Sequence, residues 1–192
     1  MTQESGEDWS TDPGWRPSWK TLILAMPYAR LLYRRRSRGD QLIDLRNVYA
    51  SFPLTLVAFG VVLPFILPLR TGSAAIFWLL GVALLTVLTT IAVHRIVRPL
   101  PCDSDARLAA GFRARMYLRV AFADSTALFG FVAAFVTTSS WVYYVCVLMA
   151  APGLSRAAPT RAALIRAQDA LNAQGCGRSL VAALRQTPAK PK

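Results

Sequence analysis

Four stretches of the chain are almost entirely apolar, and short polar segments separate them. They cover Ser51–Leu69, Ser73–Val97, Arg113–Val136 and Ser140–Leu154. A helix needs about 20 mostly apolar residues to cross a bilayer. The first three stretches come close to that length or exceed it, whereas the fourth is shorter. The pattern predicts an all-α membrane protein with four transmembrane helices arranged as two hairpins, over residues 51–154.

Local signals place the ends and bends of these helices. Pro53 falls in the opening turn of the first span, where proline is tolerated, and Pro64 is expected to kink its second half. Asp103-Ser104-Asp105 is a good helix start, so the third helix is expected to run unbroken from there to Val136. At 1.5 Å per residue it would be about 48 Å long, so its first turns must project from the membrane.

The segments before the first span have a different composition. Residues 1–17 are acidic and rich in Ser, Gly and Pro, which predicts disorder. Residues 18–50 carry apolar side chains at helical spacing beside a run of arginines, but the apolar part is too short to cross a bilayer. We therefore predict an amphipathic segment that lies on the membrane surface. Its apolar positions include Trp19, Leu22, Ile23 and Met26, followed by a second short turn with Leu42, Leu45, Tyr49 and Phe52.

Residues 155–192 are predicted to form a basic, helical cytoplasmic tail. One helix is expected over Pro159–Ala173, with Leu164, Ile165 and Leu171 on one stripe. Gln174-Gly175-Cys176-Gly177 should end it, and a shorter helix is expected over Ser179–Gln186.

The positions of the basic residues predict the orientation. Of the 22 Lys and Arg residues, eight precede the first span, six lie between the second and third or within their facing ends, and seven follow the fourth. Only Arg70 lies in a loop on the other side. Because loops rich in Lys and Arg stay in the cytoplasm, both termini are expected to be cytoplasmic, in the inner membrane of a bacterium. The short fourth helix is expected to cross as well, because otherwise the seven basic residues after it would lie on the opposite side of the membrane.

A net charge of +12 would suggest a nucleic-acid partner in a soluble protein. Here the basic residues stand beside apolar runs, so contact with anionic lipid headgroups is the better interpretation. The residues expected to make it are Arg34, Arg35, Arg36, Arg113 and Arg115. The three cysteines, without CxxC spacing, argue against a disulfide framework or a zinc site. No cofactor or metal is predicted.

The polar residues inside the spans are the candidate site. Thr86, Thr90 and His94 follow at i, i+4 and i+8 on the second helix, and Asp124 is the lone carboxylate of the third. An antiparallel hairpin would bring Asp124 near the level of His94. One hypothesis is a proton relay between carboxylate and imidazole. The other is an interhelical hydrogen bond that fixes the packing of the two helices.

The third span also carries a resemblance to a known family. RMYLRVAFADSTALFGFVAAF resembles the carboxylate-bearing helix of the proteolipid c subunits of rotary ATP synthases. The resemblance implies that Asp124 occupies a proton-binding position, followed by Ala127, Leu128 and Gly130. It covers about a tenth of the chain. The glycine-repeat helix of that family has no counterpart in the first two spans. In outline the chain is similar to uncharacterised four-helix bacterial inner-membrane proteins.

Motifs of common catalytic sites are missing from the sequence: GxSxG, HExxH, a P-loop and GxGxxG do not occur. We therefore expect that this protein is not an enzyme. The first hypothesis is a non-catalytic accessory subunit of a larger inner-membrane complex, with an envelope lipid transporter as one candidate host. The alternative is a small proton-coupled transporter using Asp124 and His94. A third hypothesis is a free protein of the membrane surface that acts through its basic flanks.

Overall fold

The structure is a computed structural model that describes residues 12, 14–16, 18, 41–69, 73–96 and 100–185, without the side chains of residues 73, 74, 93, 94 and 96. In these ranges the regular elements are all helices. They are α1 (Gln41–Ile66), α2 (Ser73–Ile96), α3 (Asp105–Val136), α4 (Trp141–Ala157), α5 (Arg161–Ala173) and α6 (Leu180–Arg185). The predicted interfacial residues from Trp19 to Arg36 lie outside the described residues.

Three of the helices, α1, α2 and α3, are long and apolar enough to cross a membrane, which is consistent with a multi-pass membrane protein. α4 has 17 residues and includes Pro152. The predicted start of α3 is confirmed at Asp105, where the Ser104 hydroxyl accepts a hydrogen bond from the Arg107 N–H.

α1 begins earlier than the sequence predicts. The separate surface turn expected before Ser51 is instead the first part of one continuous helix. The physical reason is burial, because Leu42 and Leu45 of this segment are 0% and 2% exposed. These leucines pack inside the protein instead of against the membrane surface.

The chain divides into two compact units. The membrane unit comprises the described residues between Tyr49 and Pro99 and between Ala114 and Ala158. The terminal unit comprises the described residues up to Val48, those from Leu100 to Arg113, and those from Pro159 onwards.

In the membrane unit, α4 is the central helix. One face packs with Ala75 and Val82 of α2 and Ala133 of α3. Another face packs with Leu63 of α1 and Ala134 of α3. α1, α2 and α3 turn their other faces outward, with large apolar side chains such as Phe65 and Phe77 mostly exposed. This outward apolar surface is what a membrane protein presents to lipid.

The terminal unit has a hydrophobic core of its own. α5 and α6 bury their apolar stripes against α1 and the start of α3. The core residues include Leu42, Leu100, Leu108, Leu164, Leu171, Leu180 and Leu184. The predicted stripe of α5 is therefore buried within the chain at Leu164 and Leu171, while Ile165 is only half-buried. The predicted basic helical tail is part of a packed unit, because its leucines cover one another and residues of α1 and α3.

Capping and turn chemistry set the ends of α5. Thr160 accepts a hydrogen bond from the Ala163 N–H at its start. At its end Gly175 has φ +78°, a left-handed conformation that favours glycine. The N–H of Cys176 then returns to the carbonyl oxygen of Leu171 at 3.0 Å. This tight turn brings Cys176 back towards the core.

Candidate functional site

The polar line predicted on α2 is bonded mostly to its own helix. Thr90 donates to the carbonyl oxygen of Thr86 at 2.7 Å. Thr86 donates to the carbonyl oxygen of Val82 at 2.8 Å, and its hydroxyl lies 3.1 Å from that of Thr126 on α3. Either hydroxyl can be the donor between the two. The hydroxyl pair is the link between α2 and α3 at this level.

Asp124 lies on a different side of α3 from that link. Thr126 faces α2, and residues two apart on a helix point to nearly opposite sides. Phe131, seven residues after Asp124 and so on its stripe, stacks against Phe59 of α1 and Tyr143 of α4. The half-buried carboxylate therefore belongs to the α1 and α4 side.

The predicted cluster of Thr86, Thr90, His94 and Asp124 is thus not brought together as expected. Thr90 is exposed and Asp124 is on the other side of its helix, because the contact between α2 and α3 is made at Thr126. The side chain of His94 is outside the described part of the structure, so its role stays a prediction.

The predicted lipid contacts are described only in part. Arg34, Arg35 and Arg36 fall outside the described residues. Arg113 and Arg115 are half-buried in α3, and the Nε of Arg113 donates to the carbonyl oxygen of Ala109 at 3.3 Å. Arg95 and Arg156, near the ends of α2 and α4, are exposed in the membrane unit.

Two tyrosines of α4 donate hydrogen bonds to backbone carbonyl groups of α1. The Tyr144 hydroxyl lies 2.6 Å from the carbonyl oxygen of Gly60, and the Tyr143 hydroxyl lies 2.7 Å from that of Leu56. Pro64 stands four residues after Gly60 and has no N–H to donate to that carbonyl. Tyr144 therefore replaces the backbone hydrogen bond that Pro64 removes from α1.

α3 and α4 approach closely through small residues. A Cβ atom at Gly130 would overlap the Cβ and Sγ atoms of Cys146, and one at Gly153 would lie 2.9 Å from the Cβ of Ala123. The same spacing of three and four residues continues along both helices with buried alanines. Ala127 and Ala150 lie between the two contact points, and Ala134 and Ala157 lie beyond them. Small residues allow helices to pack at short range in a membrane. We call these two facing rows the small-residue seam.

An apolar groove of about 370 Å³ opens beside α2. It is lined by Phe77, Trp78, Gly81, Val82, Leu85 and Phe129. Its polar surface is minor, so it offers no set of groups for acid–base chemistry or for binding a polar solute.

Arg46 occupies a polar centre in the terminal unit that the sequence analysis missed. Its side chain is fully buried and binds both carboxylate oxygens of Asp12, at 2.6 and 2.9 Å. It also donates to the carbonyl oxygens of Gly14 and Pro159, and stacks over the Trp15 ring. The hydrogen bond from Arg46 lowers the pKa of Asp12. The sequence does contain a sign that Arg46 is buried, because Arg46 lies on the same helical stripe as Leu42, Leu45 and Tyr49.

This centre changes one sequence prediction. Disorder was predicted for residues 1–17, yet Asp12, Gly14 and Trp15 contact Arg46. The difference arises because a buried guanidinium needs a carboxylate and acceptors, and this segment supplies them.

The cysteines also differ from the sequence prediction. Cys102 and Cys176 are joined by a disulfide, with Cα atoms 6.0 Å apart, whereas the spacing argued against a disulfide framework. Cys146 is free and buried in the membrane unit. Sequence spacing missed the pair because 74 residues separate the two cysteines and only the folded terminal unit makes them neighbours. Among the described residues no group of His, Cys, Asp and Glu is arranged to hold a metal ion.

Comparisons with protein families, with curated proteins and with solved structures give no match to this chain. The resemblance of α3 to the proteolipid helix therefore stays a prediction.

Proposed function

We propose that this protein is a non-catalytic subunit of a larger assembly in a bacterial inner membrane. The observation that carries the proposal is the solid packing of the membrane unit. Along the small-residue seam, α3 and α4 leave no room for an added Cβ at Gly130. The tyrosine hydrogen bonds hold α1 against α4 at two successive levels. A bundle closed in this way suits a structural role better than a path for a polar solute.

The outward faces of α1 and α2 are the surfaces that a partner would contact. Phe65 is 86% exposed and Phe77 is 76% exposed. The α5 and α6 stripes do not serve this purpose, because the terminal unit already buries them. A partner that meets this protein through apolar contacts therefore binds within the membrane. An envelope lipid transporter is one candidate host, and the exposed arginines supply contact with anionic headgroups.

In this proposal α4 is the fourth span and both termini are cytoplasmic. At 1.5 Å per residue α4 is about 25 Å long, slightly less than the hydrocarbon core of about 30 Å. Its antiparallel pairing with α3 along the seam supports the same membrane depth for both. The crowding of Lys and Arg on one side of the spans supports the orientation.

Purification in a mild detergent with quantitative mass spectrometry of co-eluting chains tests the proposal. We expect one or more larger membrane proteins in stoichiometric amounts. A photo-crosslinking residue at Phe77 should trap such a partner, and one at the fully buried Val142 should not. Purification of a monomer or a homodimer alone, with no crosslinked partner at Phe77, would contradict the proposal.

A second candidate function, proton-coupled transport, rests on one observation. Asp124 has no hydrogen bond or ion pair to any residue that the structure describes, which leaves its carboxylate open to protons or to a partner. We expect Asp124→Asn to keep most of the assembly, because an amide preserves shape and an acceptor. Asp124→Leu should assemble about as well, because it leaves no described residue without a hydrogen-bond partner. A well-folded, fully incorporated Asn variant that has lost all function would favour proton transport.

A further inference from the structure

Two segments of the terminal unit that are distant in sequence meet at the cysteine pair. Cys102 stands just before α3, and Cys176 stands in the turn between α5 and α6. Their Cα separation of 6.0 Å lies within the range that a disulfide spans without backbone movement. The bond therefore joins the start of α3 to the C-terminal helices.

Contacts that do not involve sulfur hold the same two segments together. Arg178 forms an ion pair with Asp105 at 2.7 Å and donates to the carbonyl oxygen of Asp103. Gln168 of α5 donates to the carbonyl oxygen of Arg178 and accepts from the Leu180 N–H. Arg178 thus anchors the segment after Cys176 to the start of α3, whereas Gln168 ties α5 to the chain leading into α6. The two thiols would stay close together if the disulfide were reduced.

In the orientation of the proposed function, on which this inference rests, the pair faces a compartment that keeps thiols reduced. The positions of the basic residues indicate that this side of the membrane faces the cytoplasm. There glutathione and thioredoxin systems reduce most disulfides, and disulfides that do form are usually transient and sense oxidants. Cys102 is half-buried rather than closed off, so a small reagent can reach one of the two sulfurs.

We propose that Cys102 and Cys176 are a reversible redox clip that ties the C-terminal helices to the start of α3 under oxidising conditions. The oxidant is a low-molecular-weight disulfide. The Cys102 thiolate attacks one of its sulfur atoms and releases one thiol, leaving a mixed disulfide on Cys102. The Cys176 thiolate then attacks the Cys102 sulfur and releases the second thiol. The protein loses two protons and two electrons, and the oxidant gains them as two thiols.

Counting free thiols in intact cells tests this directly, with Cys146 as an internal standard. The full-length protein is trapped with acid, denatured and labelled with a maleimide that carries a polyethylene glycol chain. We expect three adducts in resting cells, one adduct after exposure to a disulfide oxidant, and three again after recovery. Cys102→Ala and Cys176→Ala should each keep two adducts throughout.

Three other outcomes overturn the clip. Three adducts that persist after the oxidant mean that the pair does not close in cells. A single adduct already in resting cells means a permanent disulfide and an oxidising location for this side. Disulfide-linked dimers on a non-reducing gel, in place of an intrachain bond, show that the thiols pair between chains.

Closing the clip should also change the opening of the C-terminal helices. Trypsin cleavage at the exposed Arg166 requires local opening of α5. In purified protein we expect cleavage to be about tenfold slower after oxidation, because the cross-link restricts the open state. Cys176→Ala should cleave at the same rate with and without oxidant. Equal rates in oxidised and reduced wild type would show that the bond forms without acting as a clip.

Discussion

The two units of this protein keep their polar groups satisfied in different ways. In the membrane unit, neutral groups make the described hydrogen bonds between helices discussed above: tyrosine hydroxyls on backbone carbonyls and a threonine pair. In the terminal unit the partners are charged or covalent, as at Arg46 with Asp12, Arg178 with Asp105, and the disulfide. Charges are costly in hydrocarbon, so neutral donors are favoured there.

The packing of the two units differs for a related reason. The terminal unit buries leucines in a core, where removal of apolar surface from water supplies the stabilisation. Lipid chains are as apolar as leucine, so the membrane unit gains little from burial alone. It relies on close contact instead, as at Gly130 against Cys146. The following variants test this division, from the largest expected effect to the smallest.

Replacing Arg46 should disturb the terminal unit most. Arg46→Met removes the cationic donor of the Asp12 carboxylate, which keeps only the Gly14 N–H, and the Arg46 donor to two carbonyl groups. We expect a loss of about 4 kcal/mol, the cost of breaking a buried ion pair by removing one partner. Hydrogen exchange of residues 161–185, followed by mass spectrometry, should rise accordingly. The control is Arg166→Met, which removes an exposed arginine of the same unit. Equal exchange in the two variants would refute a stabilising role for the buried pair.

Filling the closest point of the small-residue seam should have the next largest effect. Gly130→Val places a side chain into Cys146, and we expect a loss of about 3 kcal/mol from overpacking. A lower melting temperature in detergent and a broadened size-exclusion peak would report it. Gly81→Val is the matched control, because nothing lies within 4 Å of a Cβ at Gly81. Adding Cys146→Gly should restore part of the stability. An equal loss in both valine variants would mean that the seam is not the tight contact.

The tyrosine hydrogen bond on Gly60 should have a smaller effect that depends on Pro64. Tyr144→Phe removes the donor at 2.6 Å, and we expect a loss of about 1 to 2 kcal/mol. Pro64→Ala returns a backbone N–H to the Gly60 carbonyl, so Tyr144→Phe should cost less in that background. A double-mutant cycle measured by thermal unfolding gives the coupling. Zero coupling would show that Tyr144 does not compensate for the proline.

Acid should weaken the terminal unit through Asp12, with the smallest effect of the four. The hydrogen bond from Arg46 holds the pKa of Asp12 below its usual value. The unfolded chain therefore binds a proton at higher pH than the folded one. The stabilisation is fully present above about pH 4, near the usual pKa of an aspartate, and is lost as the pH falls through the lower folded value. Hydrogen exchange of residues 161–185 should increase over that window in the wild type. In Asp12→Asn the acid-dependent increase should be reduced.

Hydropathy along the chain was enough to predict that each helix of the described residues exists. α2, α3, α5 and α6 lie within two residues of the predicted bounds, because the length and period of apolar runs depend on local sequence. Helix α1 was predicted to begin at Ser51, because the sequence of its first turns resembles an amphipathic surface segment. In the structure Leu42 and Leu45 of these turns are buried.

The contacts between helices required the folded chain. In the sequence Arg46 is one basic residue among many, and only its contacts with Asp12 and Pro159 distinguish it. Cys102 and Cys176 become a pair when the turn at Gly175 brings residues far apart in sequence together. The rotation of α3 also places Asp124 away from the α2 threonines, and hydropathy does not set the angle at which one apolar helix faces another. That angle follows from the fit of small side chains such as Gly130 and Cys146, which depends on shape in three dimensions.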